Sequence, residues 1–278
     1  MKLSGLETVS PKINAALLQL IKATTGGHRV TVTPLAGLTG QSCQIVTQNE
    51  RLLLRPAPQS AIPFVNRQRE GRVLRKLRLS GLVQRPLAGN RHGIILPWQD
   101  GEVMSDAGFR AARPQVLALL QRLHQQPLTG YRLSLLPLLW QYWQRCQQRQ
   151  HRWLQQLQRL TRQGEPRPLR LAPLHMDVHP ANLIQSEQGL HLIDWEYAAD
   201  GDVALELAAV CLSDPTQQEQ WLRDYAALMQ IPLTSLQHQV SRWQPWLHLL
   251  VASWYQLRAE QSGDAHLQQL AQQSWQQI

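Results

Sequence analysis

The chain has 278 residues, 43% of them hydrophobic, enough for one large domain or two lobes around a cleft and too apolar for global disorder. Lys and Arg outnumber Asp and Glu by 28 to 19, a formal net charge of +9, which suits anionic partners such as nucleotides, nucleic acids or membrane phosphates without choosing among them. Nearly all of this positive charge is arginine scattered along the chain, with lysine confined to Lys2, Lys12, Lys22 and Lys76, and the lack of a basic run argues against a nucleic-acid partner.

In chain order, Ile13 to Ile21 spaces its apolar residues at the helical period and predicts an amphipathic helix. Arg29 to Thr33 alternates, with Val30 and Val32 to one side, as a strand does. Leu35 to Ser42 carries Gly37 and Gly40, Cys43 to Thr47 is strand-like again, and Leu52 to Arg55 follows the turn at Asn49 and Glu50. Two strands around a glycine-bearing turn, then a third, predict a small antiparallel sheet. After the proline-rich break from Pro56 to Pro63, Asn66 to Leu79 predicts a helix with Val65, Val73, Leu74 and Leu77 on one face, and Ile94 to Trp98 a short strand. Helical spacing then covers Pro114 to Gln125, Leu136 to Arg162, Thr216 to Met229, Leu233 to Glu260 and Ala265 to Gln277, interrupted by a helix-poor island from Leu169 to Asp200. The expected fold class is α+β with two lobes, a small β-rich N-terminal lobe at 1–97 and a mostly helical C-terminal lobe at 98–278. The seam is expected near Leu96 to Gly101, a common setting for a ligand cleft.

Cys43, Cys146 and Cys211 are odd in number, far apart and outside any CxxC spacing, so neither a disulfide framework nor a structural zinc site is expected. No signal peptide or run of about 18 apolar residues is read in the sequence. The expected compartment is the cytoplasm, with no membrane partner.

The island carries the chemistry. Leu174 to Leu183 contains His175, Asp177 and Asn182 in the order H-x-D-x-x-x-x-N, and an apolar strand from Leu190 to Ile193 then ends in Asp194. Transfer of a γ-phosphoryl group needs positioning and charge neutralisation more than covalent chemistry. Asp177 stands where a carboxylate accepts the hydroxyl proton of the acceptor. The amide oxygen of Asn182 and the carboxylate of Asp194 are hard donors suited to Mg²⁺. This is the order of a kinase catalytic loop followed by its metal-binding aspartate. His175 is read as a brace for the loop, and Asp202 as a helix N-cap or a second brace. A zinc site at His175, Asp177, His179 and His191 lacks a supporting helix motif.

The N-terminal signals are weaker. Gly37, Gly40 and Ser42 lie in a hairpin that would let backbone N–H groups approach a triphosphate, and such a turn is more often only a turn. Arg55 ends the third strand, where a kinase carries a phosphate-binding lysine. Arginine also holds phosphate oxygens in a fork, and a solvated strand-end arginine is the competing reading. Glu70 on the following helix is placed to pair with Arg55 or with a basic neighbour on its own helix.

These residues, in this order, resemble the aminoglycoside phosphotransferase and choline kinase superfamily, with its protein-kinase-like fold. The likeness runs over nearly the full length and is densest at Glu165 to Leu171, Leu174 to His179, Ile193 to Ala198 and Gly201 to Ala209, where it is similar to the bacterial thiamine kinases. The resemblance implies ATP and Mg²⁺ as cofactors, an alcohol acceptor such as thiamine, Asp177 as catalytic base, and Asn182 and Asp194 as metal ligands. Arginine at position 55 departs from the pattern. A cationic acceptor ring suits aromatic faces beside a carboxylate, and Trp195, Glu196 and Tyr197 follow the metal aspartate, with Trp243, Trp246 and Trp254 as further candidates. Helical tryptophans are more often core packing. A choline- or aminoglycoside-type kinase and a non-catalytic nucleotide-binding module are the alternatives; the low acidic content disfavours a polycationic aminoglycoside, and the presence of all three expected catalytic oxygens disfavours the module.

Overall fold

The computed structural model describes the backbone of residues 6–8 and residues 13–35 and 42–278 in full. The elements in chain order begin with β1 (Leu6–Thr8), α1 (Ala15–Thr25), β2 (Val30–Pro34), β3 (Cys43–Val46), β4 (Arg51–Pro56), α2 (Arg67–Leu77), β5 (Ala88–Asn90), β6 (Gly93–Pro97) and β7 (Glu102–Val103). They continue with α3 (Asp106–Ala111), α4 (Arg113–His124), α5 (Leu135–Arg145), α6 (His151–Gln163), β8 (Leu171–Leu174), β9 (Leu183–Ser186), β10 (Gly189–Leu192) and β11 (Ala199–Asp202). The chain closes with α7 (Val203–Ser213), α8 (Gln218–Met229), α9 (Leu233–Ser262) and α10 (Ala265–Gln276).

The described residues group into two compact units. One takes those up to Val103 together with Leu183–Ala198, the other Met104–Asn182 and Ala199–Ile278. The seam therefore falls after β7 rather than at residue 97, and the first unit reclaims part of the island. The cause is strand pairing: β7 runs antiparallel to β9, with Glu102 opposite Gln185 and Val103 opposite Ile184, and β9 pairs β10. Gly101 permits this approach. Its φ is +132°, and a Cβ there would run into the backbone of Gln185.

The first unit is built on a six-stranded sheet of order β1-β2-β3-β4-β6-β5, antiparallel except for the parallel β1–β2 pair. Alternation sends Val30, Val32, Ile45, Leu52 and Leu54 to one face, where they bury against Leu17 and Ile21 of α1. Each such side chain contributes about 1.5–3 kcal/mol on burial. Asn14 caps α1 by accepting from the Leu17 N–H at 2.9 Å, and Asn66 caps α2 by accepting from Arg69 at 2.9 Å. The buried face of α2 holds Val73, Leu74 and Leu77 as expected, and also the charged Arg67 and Glu70.

The second unit is mostly helical. β8 and β11 form an antiparallel ribbon, Leu174 opposite Ala199 and Leu171 opposite Asp202, and α7 starts directly from it. The single helix expected over Leu136 to Arg162 is two. Cys146 is extended (φ −74°, ψ 142°), and the next two N–H groups, of Gln147 and Gln148, donate to the Glu260 carboxylate of α9 at 2.7 and 3.0 Å. Gln147 to His151 has no apolar residue to hold a helix face against the core, so the chain gives up its helical bonds to that carboxylate. Trp243 and Trp246, offered by the sequence as acceptor contacts, are buried in α9 at 3% and 2% exposure. Among the described residues, no helix is long and apolar enough to cross a membrane.

Candidate active site

Within the second unit, β8 delivers His175, Met176 and Asp177 at its C-terminal end. Met176 has φ +68°, the left-handed region that non-glycine residues avoid unless their surroundings hold them there. Those surroundings centre on Glu206 in the first turn of α7. Its fully buried carboxylate accepts from the backbone N–H groups of His175, at 2.9 Å, and Met176. It also meets His124 Nε2 of α4 at 3.0 Å, and His124 Nδ1 lies 2.6 Å from the Tyr225 hydroxyl of α8. Burial works to raise the Glu206 pKa, but the His124 hydrogen bond and charge, with His175, outweigh it and hold the carboxylate below its ordinary value. Burial, and then the Glu206 charge, push the Tyr225 phenol up.

The loop that follows orients both of its candidate oxygens. The His175 side chain is fully buried, and its Nδ1 accepts from the Asp177 N–H at 3.2 Å. Pro180–Asn182 forms a 3₁₀ turn, closed by the Asn182 N–H donating to the His179 carbonyl at 3.0 Å. The Asn182 amide donates to both the carbonyl and Oδ2 of Asp177, each at 2.9 Å, and His179 Nε2 lies 3.6 Å from Asp177 Oδ1. With its NH₂ committed to Asp177, Asn182 keeps its amide oxygen for a ligand. Trp254 and Tyr255 of α9 form an edge-to-face pair with centroids 5.1 Å apart. Tyr255 is half-buried, and burial, then the charge of Asp177, raise its pKa.

Within the first unit, Arg55 at the end of β4 is 3% exposed and meets three carboxylates: Glu70 at 3.2 Å, Asp194 at 2.6 Å and Glu196 at 2.8 Å. The Arg55–Glu70 pair allowed by the sequence thus forms. Burial opposes the Arg55 charge, but Glu70, Asp194 and Glu196 outweigh it and hold the guanidinium pKa above its ordinary value. Arg67, at the start of α2, meets Glu70 at 2.7 Å and Glu196 at 2.8 Å and donates its Nε to the Pro56 carbonyl at 2.8 Å. Burial, then the charge of Asp194, raise the Glu196 pKa against the pull of Arg55 and Arg67. Asp194, like Met176, is left-handed, with φ +65°. Arg69 donates to the carbonyls of Glu196 and Ala198 and fixes the chain beyond Asp194.

The structure thus brings together Asp177, Asn182 and His175 in one unit, and Arg55, Glu70, Asp194 and Glu196 in the other. Two expectations change, those of Trp195 and Glu196 as acceptor contacts, while Asp202 takes the N-cap role, one of the two expected of it. Trp195 and Glu196 are 4% and 2% exposed, the indole donating to the Leu192 carbonyl at 3.0 Å and the carboxylate occupied by two arginines, so neither offers a face to an acceptor. Tyr197 is half-buried. Asp202 caps α7 through the Ala204 N–H and accepts from Gln239 and Trp243 of α9 at 2.6 and 2.8 Å, so it ties helices together while Glu206 braces the loop. Gly37 and Gly40 lie outside the described residues; Ser42, beside β3, accepts on its carbonyl from the Leu35 N–H at 2.8 Å. Sequence reasoning missed Arg67 and Glu206. Arg67 had a signal, since it stands three residues before Glu70 on one helix face. Glu206 had none beyond being acidic in an otherwise apolar helix.

Each unit offers one hard oxygen donor of the kind Mg²⁺ takes, the Asn182 amide oxygen in one and the Asp194 carboxylate in the other. Among the described residues, no cluster of three or more His, Cys, Asp or Glu side chains could hold a metal by itself.

Residues 31–237 match the family model described as the phosphotransferase enzyme family. The chain is 42% identical over 256 residues to a thiamine kinase of Salmonella paratyphi A, covering 90% of this chain and 91% of that protein, and 41% identical over the same span to one of Salmonella typhi. The chain belongs to the phosphotransferase enzyme family. Its fold is similar to that of a choline kinase from Streptococcus pneumoniae, with a TM-score of 0.76, 20% identity and coverage of 94% of this chain and 98% of that one. The complex of that protein with AMP matches with the same TM-score. The α+β, protein-kinase-like fold class expected from the sequence is the one found.

Proposed function

We propose that this chain is a thiamine kinase, transferring the γ-phosphoryl group of ATP to the hydroxyl of thiamine to give thiamine monophosphate and ADP in a salvage route. The observation that carries the acceptor is the 42% identity to thiamine kinases over 90% of the chain. The reaction type is supported by the loop geometry, in which Asn182 and His175 fix the Asp177 carboxylate and backbone.

In this reading Asp177 accepts the hydroxyl proton as the new oxygen–phosphorus bond forms and the bond to ADP breaks. Asn182 and Asp194 would hold Mg²⁺, which supplies neutralisation of the phosphate charge. Arg55 is the cation for the phosphates, supported by Glu70 on α2. Thiamine carries a thiazolium cation, and Trp254 with Tyr255 offers it an aromatic face near a carboxylate. The three cysteines are buried thiols, in keeping with the cytoplasm as the compartment.

Asp177→Ala is expected to lower thiamine phosphorylation by about a hundredfold or more while MgATP binding persists. Turnover at the wild-type rate in the purified variant would remove Asp177 from the chemistry.

A further inference from the structure

Two buried cations and three carboxylates form one group in the first unit. Arg55, Arg67, Glu70 and Glu196 each have side chains at most 3% exposed, and only Asp194, at 30%, is reached by solvent. Arg55 touches all three carboxylates. Arg67 shares Glu70 and Glu196 but has no contact with Asp194 among these pairs. The formal charge of the group is −1, from two arginines and three carboxylates.

A buried carboxylate left without a cation is costly, because neither water nor a counter-charge offsets its burial. Arg67 therefore carries a load that would otherwise fall on Arg55 alone. We propose that Arg67 sets how tightly Arg55 is held: by sharing Glu70 and Glu196, it leaves Arg55 able to exchange Asp194, the solvent-reached partner, for nucleotide phosphate. Arg67 is a positioning residue in this scheme, acting through Arg55. Without it the group carries −2, every carboxylate turns on Arg55, and phosphate must displace a stronger hold. The inference rests on the phosphate role given to Arg55 above and is independent of which acceptor is used.

Calorimetric titration with MgADP tests it on four full-length proteins, with a thermal unfolding scan of each. Arg67→Met is expected to weaken MgADP binding about tenfold or more, because the charge becomes −2. Adding Glu196→Gln returns the charge to −1 and is expected to bring the double variant within about threefold of wild type, while Glu196→Gln alone binds no more weakly than wild type. A packing role for the Arg67 stem, or for its bond to Pro56, would not be rescued in this way. Wild-type affinity in Arg67→Met overturns the inference, as does a folded double variant weakened by more than about threefold. If Arg67→Met does not fold, the double variant decides by the same threshold. Wild-type turnover of thiamine, measured alongside, tests the acceptor separately.

Discussion

Glu206 shows how a single side chain sets the geometry of a loop it does not belong to. Its carboxylate takes the N–H groups of His175 and Met176 and so holds Met176 in a left-handed conformation just ahead of Asp177. A left-handed residue of this kind costs about 1–3 kcal/mol and persists only when its neighbours dictate it. The Glu206 pKa in the fold lies below the ordinary 4.5. Its stabilisation is therefore fully present above that value and is lost as pH falls through the lowered one. Glu206→Gln is expected to cost about 2–4 kcal/mol at neutral pH and to flatten the acid limb of the stability curve. Urea unfolding at a series of pH values checks this, and an unchanged acid slope in the variant would mean that Glu206 carries no charge in the fold. Tyr255 belongs to the same scale. Tyr255→Ala is expected to raise the KM for thiamine about tenfold with the KM for ATP little changed, since a cation over an aromatic face is worth about 1–2 kcal/mol. Steady-state kinetics with each substrate varied in turn would separate the two, and a rise confined to ATP would contradict the acceptor role.

At the level of elements, the sequence was most legible where a period met a clear cap. α1 and α2 follow Asn14 and Asn66, and β2 and β3 alternate around their turns until Pro34 ends β2. The candidate site residues were legible for another reason: Asp177, Asn182 and Asp194 form a spaced motif whose proposed chemistry calls for their types. Illegible features depended on partners distant in the chain. The break between α5 and α6 is made by Glu260, more than 100 positions further on, and its only local trace is a polar run. The pairing of β7 with β9 moved Leu183–Ala198 into the first unit, which a two-residue strand could not announce. Trp195 and Glu196 misled because the motif marks their place and not their orientation. Only the structure shows the carboxylate enclosed by Arg55 and Arg67.

For the whole molecule, the excess of arginine takes on a different meaning from the one its net charge suggests. Arg55 and Arg67 are spent inside the first unit against carboxylates, and Arg69 lies over the Phe64 ring at 3.5 Å. These three arginines are taken up by contacts within the first unit. The central claim is that the candidate active site serves thiamine, and the acceptor is the part no short motif names. The direct measurement is to incubate the protein with ATP and Mg²⁺ and, separately, thiamine, choline, kanamycin or homoserine, and to determine which acceptor gains phosphate. Thiamine monophosphate is expected to form, with kcat/KM for thiamine above that for every other acceptor by about a hundredfold or more. Transfer to choline, kanamycin or homoserine without transfer to thiamine would contradict the assignment.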